Sequence, residues 1–139
     1  MRVSPILLGL FVSLSIVALV TVTPVQAAKR ASAVNSSGGT SYSCNVGVTY
    51  TPSWFTVQTT ITATGGSLPG RTETDYVDAY KDGVLYMTQS ATYSVERNTA
   101  TFTVYVPVPS NGVGAYTFQS TIFTSMGSQL ATCTGTYAL

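Results

Sequence analysis

Residues 41–50 read SYSCNVGVTY and residues 55–63 read FTVQTTITA. In the first stretch Tyr42, Cys44, Val46, Val48 and Tyr50 alternate with Ser, Asn, Gly and Thr. In the second, Phe55, Val57, Ile61 and Ala63 alternate with Thr56, Gln58, Thr60 and Thr62. A period of two places one set of side chains on each face of a half-buried strand, whereas an amphipathic helix repeats every 3.6 residues. Thr, Val and Tyr suit such a pleated surface.

The same reading extends outward from these two strands. Residues 64–70 (TGGSLPG) break the pattern, and a third strand runs from Thr72 to Lys81. Asp82-Gly83 is a two-residue hairpin signal, from which Val84–Gln89 returns. Ala100, Phe102, Val104, Val106 and Val108 mark another strand, ended by Pro109-Ser-Asn-Gly. Tyr116, Phe118 and Ile122 mark the next, and Gln129–Tyr137 the last. Pro107 and Pro109 lack an N–H, so the end of that strand lies at a sheet edge or is unpaired. Seven strands separated by turn signals predict an all-β, antiparallel seven-stranded β-sandwich over residues 41–139.

The N-terminus is of another kind. Arg2 is followed by an uncharged apolar run from Ile6 to Thr23, then by Val25-Gln26-Ala27 with small residues at both ends. This is the pattern of a secretory signal peptide over residues 1–27, cleaved after Ala27. The alternative is a retained membrane anchor, since the run approaches the length that spans a bilayer. Residues 28–40 (AKRASAVNSSGGT) have no apolar period and read as a flexible lead-in. Within it, Lys29-Arg30 matches a dibasic processing site and Asn35-Ser36-Ser37 an N-glycosylation acceptor. In a secreted chain, Cys44 and Cys133 make one disulfide. It would close a loop of 89 residues and tie the first strand to the last.

Composition excludes several chemistries. The 139 residues hold 6 Lys plus Arg, 5 Asp plus Glu and no His. Without His there is no Ser-His or Cys-His catalytic pair and no His-ligated metal. A net charge of +1 offers no basic footprint for nucleic acid. No cofactor motif is present, and the chain reads as a non-enzyme.

Tyr80-Lys-Asp-Gly-Val, Thr99-Ala-Thr-Phe-Thr-Val and Gly114-Ala-Tyr-Thr-Phe resemble segments of bacterial immunoglobulin-like and fibronectin-III-like extracellular domains. The resemblance runs from Asp75 to Phe123. It implies an immunoglobulin-like sandwich, with Tyr116 at the start of the sixth strand, where such domains often carry a Tyr. Antibody-type domains differ: their Cys spacing is shorter, and their Tyr lies two residues before the second Cys, where this chain has Ala131.

Four groups of residues are functional candidates. Tyr50, Trp54 and Phe55 flank the Pro52 turn, and aromatic faces there would stack on sugar rings or anchor a protein. Glu73, Asp75, Asp78 and Asp82 are four of the five acids. They are read as a solvated, acidic edge strand, with a Ca²⁺ site and a glycosidase-type carboxylate pair as alternatives. Thr99, Thr101 and Thr103, and Thr132, Thr134 and Thr136, each line one strand face. They read as polar outer surface, with ice binding through water ordered on a regular Thr ladder as the alternative. Finally, Leu68-Pro-Gly-Arg71 could present a turn to a protease. The leading expectation is a non-enzymatic secreted or cell-surface sandwich that binds an extracellular polysaccharide or protein. A structural subunit that self-associates through its strand edges is the alternative, and an enzyme inhibitor a third.

Overall fold

The computed structural model describes residues 29–30, 39–69, 72–94 and 98–139. The signal segment, most of the lead-in with Asn35, and Arg71 lie outside the described residues. Strand β1 is the two-residue Lys29–Arg30. Seven strands of nine to eleven residues follow: β2 (Ser41–Tyr50), β3 (Trp54–Thr64), β4 (Thr72–Lys81), β5 (Val84–Ser94), β6 (Thr99–Pro107), β7 (Ala115–Thr124) and β8 (Gln129–Ala138). Among the described residues no helix is long and apolar enough to cross a membrane.

Two antiparallel sheets form, in the orders β1-β2-β3-β6 and β5-β4-β7-β8. This is an immunoglobulin-like β-sandwich in which β5, the return strand of the Asp82-Gly83 hairpin, pairs with β4. In antibody constant-type domains the corresponding strand joins the other sheet. Asp82 (φ 50°) and Gly83 (φ 81°) make the hairpin turn, as their dipeptide predicts. The Asp82 side chain also accepts a hydrogen bond from the Ala115 N–H at 2.9 Å. That bond, and then Lys81 at 3.2 Å, hold its carboxyl below the usual aspartate range. Strand β6 is an edge, as its closing prolines imply. Lys29–Arg30, inside the expected lead-in, pairs with Val46 and Asn45 of β2. Backbone pairing needs no side-chain alternation, so the lead-in's lack of pattern did not announce it.

Every inward residue on β2 and β3 follows the period of two, with Val46, Phe55, Val57 and Ile61 fully buried. Phe55 is the aromatic node, with ring centroids 4.5 Å from Tyr116, 5.0 Å from Phe118 and 5.6 Å from Tyr137. Tyr116 is buried and donates its hydroxyl to the Gly112 carbonyl four residues upstream, the tyrosine corner of immunoglobulin-like sandwiches. Cys44 on β2 and Cys133 on β8 are bonded, with Cα atoms 5.9 Å apart, so the disulfide joins the two sheets through the core.

Gly135 on β8 packs its backbone closely against the facing strand β2. A Cβ there would lie 2.7 Å from Val46 Cγ1 and 3.0 Å from Val48 Cγ2, both on fully packed side chains. Gly135→Ala is therefore expected to destabilise the fold by about 1–3 kcal/mol, the usual cost of overpacking. Urea denaturation checks this. An unchanged midpoint would mean that the sheets separate freely at β8.

Candidate functional site

Consecutive strand residues point to opposite faces, and this divides the aromatics around Pro52. Phe55 is 0% exposed in the core, out of reach of any partner. Tyr50 is partly buried and packs inward, 5.5 Å from Phe55 and 5.7 Å from Tyr137. Trp54 alone of the three turns outward, 50% exposed. Its aromatic neighbour, one row away on the adjacent strand, is one that local sequence does not reveal. Tyr105 on β6, 59% exposed, lies edge-on to Trp54 with centroids 6.4 Å apart.

The Pro52 turn holds Trp54 in place. The Thr51 N–H donates to the Trp54 carbonyl (2.9 Å), and the Trp54 N–H donates to Thr51 Oγ1 (3.2 Å). The Val108 N–H donates to the Ser53 carbonyl (3.1 Å), tying the turn to the end of β6 and so to the strand that carries Tyr105.

Register sets the rest of this outer face in rows. Trp54 lies opposite Pro107. The next row is Thr49, Thr56 and Tyr105, then Gly47, Gln58 and Thr103, then Asn45, Thr60 and Thr101. No residue that β2, β3 and β6 place in these rows is charged, and β1 adds Arg30 opposite Asn45, in the row farthest from Trp54. Gly47, Thr49, Thr56 and Gln58 line a shallow depression of about 220 Å³. Gly47 leaves its floor open, since a Cβ there would meet nothing nearer than the Gln58 carbonyl at 3.9 Å. The hydroxyls of Thr60 and Thr101 lie 3.3 Å apart and bond to each other, so this Thr row satisfies part of its own hydrogen bonding. Chemically, the face offers two rings for stacking beside a bed of neutral donors and acceptors.

The acidic residues do not form the expected group. Strand β4 lies between β5 and β7 and is not an edge. Asp78 points outward and accepts from the Thr88 hydroxyl at 2.6 Å, while Asp82 is occupied in the turn. Glu73 and Asp75 point inward and are 0% exposed. Among the described residues no three His, Cys, Asp or Glu side chains are grouped to hold a metal ion. The Ser120 hydroxyl donates to Asp75 Oδ1, but Asp75 Oδ2 and both Glu73 oxygens have no partner. Burial raises both carboxyls above their ordinary range, Glu73 to about 7. For Asp75, the hydrogen bond from Ser120 works against that rise. These groups are enclosed between the sheets and meet no cleft where a sugar bond would sit.

Leu68 is buried, so the Leu68-Pro69 turn does not present that side chain to a protease.

The fold and the outer face together describe an immunoglobulin-like sandwich with an aromatic-rimmed sheet face whose rows across β2, β3 and β6 carry no charge. No protein-family model matches the chain, and no curated protein sequence matches it. Among solved structures it is similar to chicken MD-1 complexed with lipid IVa, at 8% identity and a TM-score of 0.39, over 81% of this chain and 98% of that one.

Proposed function

We propose that the protein is a non-enzymatic, secreted or cell-surface binding module of the bacterial immunoglobulin-like or fibronectin-III-like kind. Its ligand is a neutral extracellular polysaccharide, bound on the outer face of β2-β3-β6. The observation that carries this reading is the exposed Trp54–Tyr105 pair at one end of rows that carry no charge across β2, β3 and β6. Sugar rings present C–H faces that stack on aromatics and hydroxyls that exchange hydrogen bonds with Thr, Asn and Gln. A protein partner is the less favoured ligand, because the face beyond the two rings has no apolar centre of the sort that anchors protein interfaces. Secretion is supported by the N-terminal apolar segment and by the Cys44–Cys133 bond, which persists in oxidising compartments. The domain type is supported by the strand order and the Tyr116 corner.

The test is retention of the purified domain on microcrystalline cellulose, chitin and curdlan. Trp54→Ala and Tyr105→Ala are each expected to weaken retention at least tenfold, about 1.4 kcal/mol, as central aromatic contacts do. Both side chains are at least half exposed, so circular dichroism should show an unchanged fold. Wild-type retention that survives both substitutions would remove this face as the site.

A further inference from the structure

In a two-layer sandwich each sheet turns one face to the core and one to solvent, so its two outer faces look in opposite directions. The outer face of β5-β4-β7-β8 carries a second aromatic site. Tyr76 on β4 is 45% exposed and stands edge-on to Phe123 of β7, with centroids 5.8 Å apart and ring planes at 78°. The two rings wall a depression of about 430 Å³ whose remaining lining is Thr74, Thr124, Ser125 and Gly127.

The rim of this depression is built, not loose. Thr124 satisfies the turn beneath it: its carbonyl accepts from the Gly127 N–H at 2.9 Å, and its hydroxyl accepts from the Ser128 N–H at 3.1 Å. The Thr124 N–H in turn donates to the Ser128 carbonyl at 2.9 Å. Gly127, with φ +82°, has nothing within 4 Å of where a Cβ would stand, which keeps the mouth open. The β7–β8 register shifts between Ile122 and Phe123, and such irregularities commonly re-aim a side chain. No acidic or basic residue lines the site. Two rings, three hydroxyls and no charge repeat the chemistry of the Trp54 face, and they suit a neutral saccharide better than an ionic ligand.

We propose that this depression is a second, weaker saccharide site, and that the protein is a bivalent module that cross-links polysaccharide chains held on its opposite faces. The proposal rests on the saccharide reading of the Trp54 face. The second site is the weaker because one of its two rings is partly withdrawn. Its effect is on assembly more than on affinity for one chain, since a rigid surface meets only one face at a time. Flexible chains in solution meet both.

The experiment pairs retention on the three insoluble matrices with light scattering of a soluble, uncharged relative of whichever matrix retains the protein (hydroxyethyl cellulose for cellulose, glycol chitin for chitin, laminarin for curdlan). Wild type should raise the scattering of the soluble polymer. Tyr76→Ala should abolish that rise while changing retention on the solid by less than twofold. Thr74→Lys, which leaves Tyr76 in place and lays a charged stem across the depression, should act alike. Trp54→Ala should keep about a tenth of wild-type retention, and Trp54→Ala/Tyr76→Ala should fall to background. Cross-linking by Tyr76→Ala at the wild-type level, or Trp54→Ala retention already at background, overturns the second site while leaving the first. Scattering by the protein without polymer assigns the effect to self-association and also overturns it. Absence of wild-type retention on every matrix removes the saccharide reading itself.

Discussion

Reducing the Cys44–Cys133 disulfide should cost the fold about 4–5 kcal/mol in the chain-entropy account, and no less than about 2 kcal/mol by the range for native disulfides. The bond closes a loop of 89 residues, nearly the whole sandwich. Releasing it frees the unfolded chain far more than the folded one, because β2 and β8 belong to different sheets and stay packed across the core. Net stabilities of small domains are about 5–15 kcal/mol, so this one link decides a large part of the total. The measurement is urea denaturation of the oxidised protein, the reduced protein and Cys44→Ala/Cys133→Ala. Both altered forms should unfold at lower urea, with a steeper dependence on denaturant because the unlinked chain exposes more surface. Coincident curves for oxidised and reduced protein would show that the pairing of the sheets holds without the link.

Most of the architecture was legible because it depends on local alternation. Strands β2 and β4 carry the bounds their patterns indicate, and the Asp82-Gly83 turn follows from its dipeptide. The Cys pair was legible by elimination, there being no other thiol to bond. What local reading missed has two physical sources. The first is long-range register. Tyr105 reaches Trp54 only because β6 pairs with β3, an arrangement set by packing of the whole sandwich. Tyr76 and Phe123 meet for the same kind of reason across β4 and β7. The second is charge overriding parity. Val77 and Ala79 face inward, and counting back by two reaches Asp75 and Glu73. Thr59 and Ser120 likewise occupy inward positions, between Val57 and Ile61 and between Phe118 and Ile122. Parity placed all four inside; the habit of assigning carboxylates to water placed two of them outside. Phe55 is a milder case, since adjacent strand residues cannot share a face and one of Trp54 and Phe55 had to be core.

The buried acids make stability depend on pH in an uncommon direction. Glu73 titrates at about 7 in the folded protein against 4.5 when solvated, because burial penalises its charged form. Below pH 4.5 the side chain is protonated in both states and imposes no ionic cost. Between pH 4.5 and 7 the unfolded chain gives up the proton while the folded chain keeps it. The folded state then binds more protons, and stability falls as pH rises. Above pH 7 both states are ionised and the loss is complete, about 3 kcal/mol for a shift of this size. Asp75, also raised by burial, adds a loss of the same sign beginning above its ordinary 3.8. Asp82 has the opposite sign, but its lowered value confines its effect to pH below about 3.8, outside this window. Chemical denaturation from pH 4 to 8 should therefore show greatest stability near pH 4–5 and a decline to neutrality. Glu73→Gln keeps the shape of the side chain and cannot ionise. It should flatten most of the decline and be more stable than wild type at pH 7.5 by about 2–3 kcal/mol, the ionisation cost less what an unpartnered amide retains. A wild-type stability that is level or rising from pH 4.5 to 7 would mean that Glu73 finds water or a cation between the sheets. The pair would then be an occupied polar site, not a neutral acid held in the core.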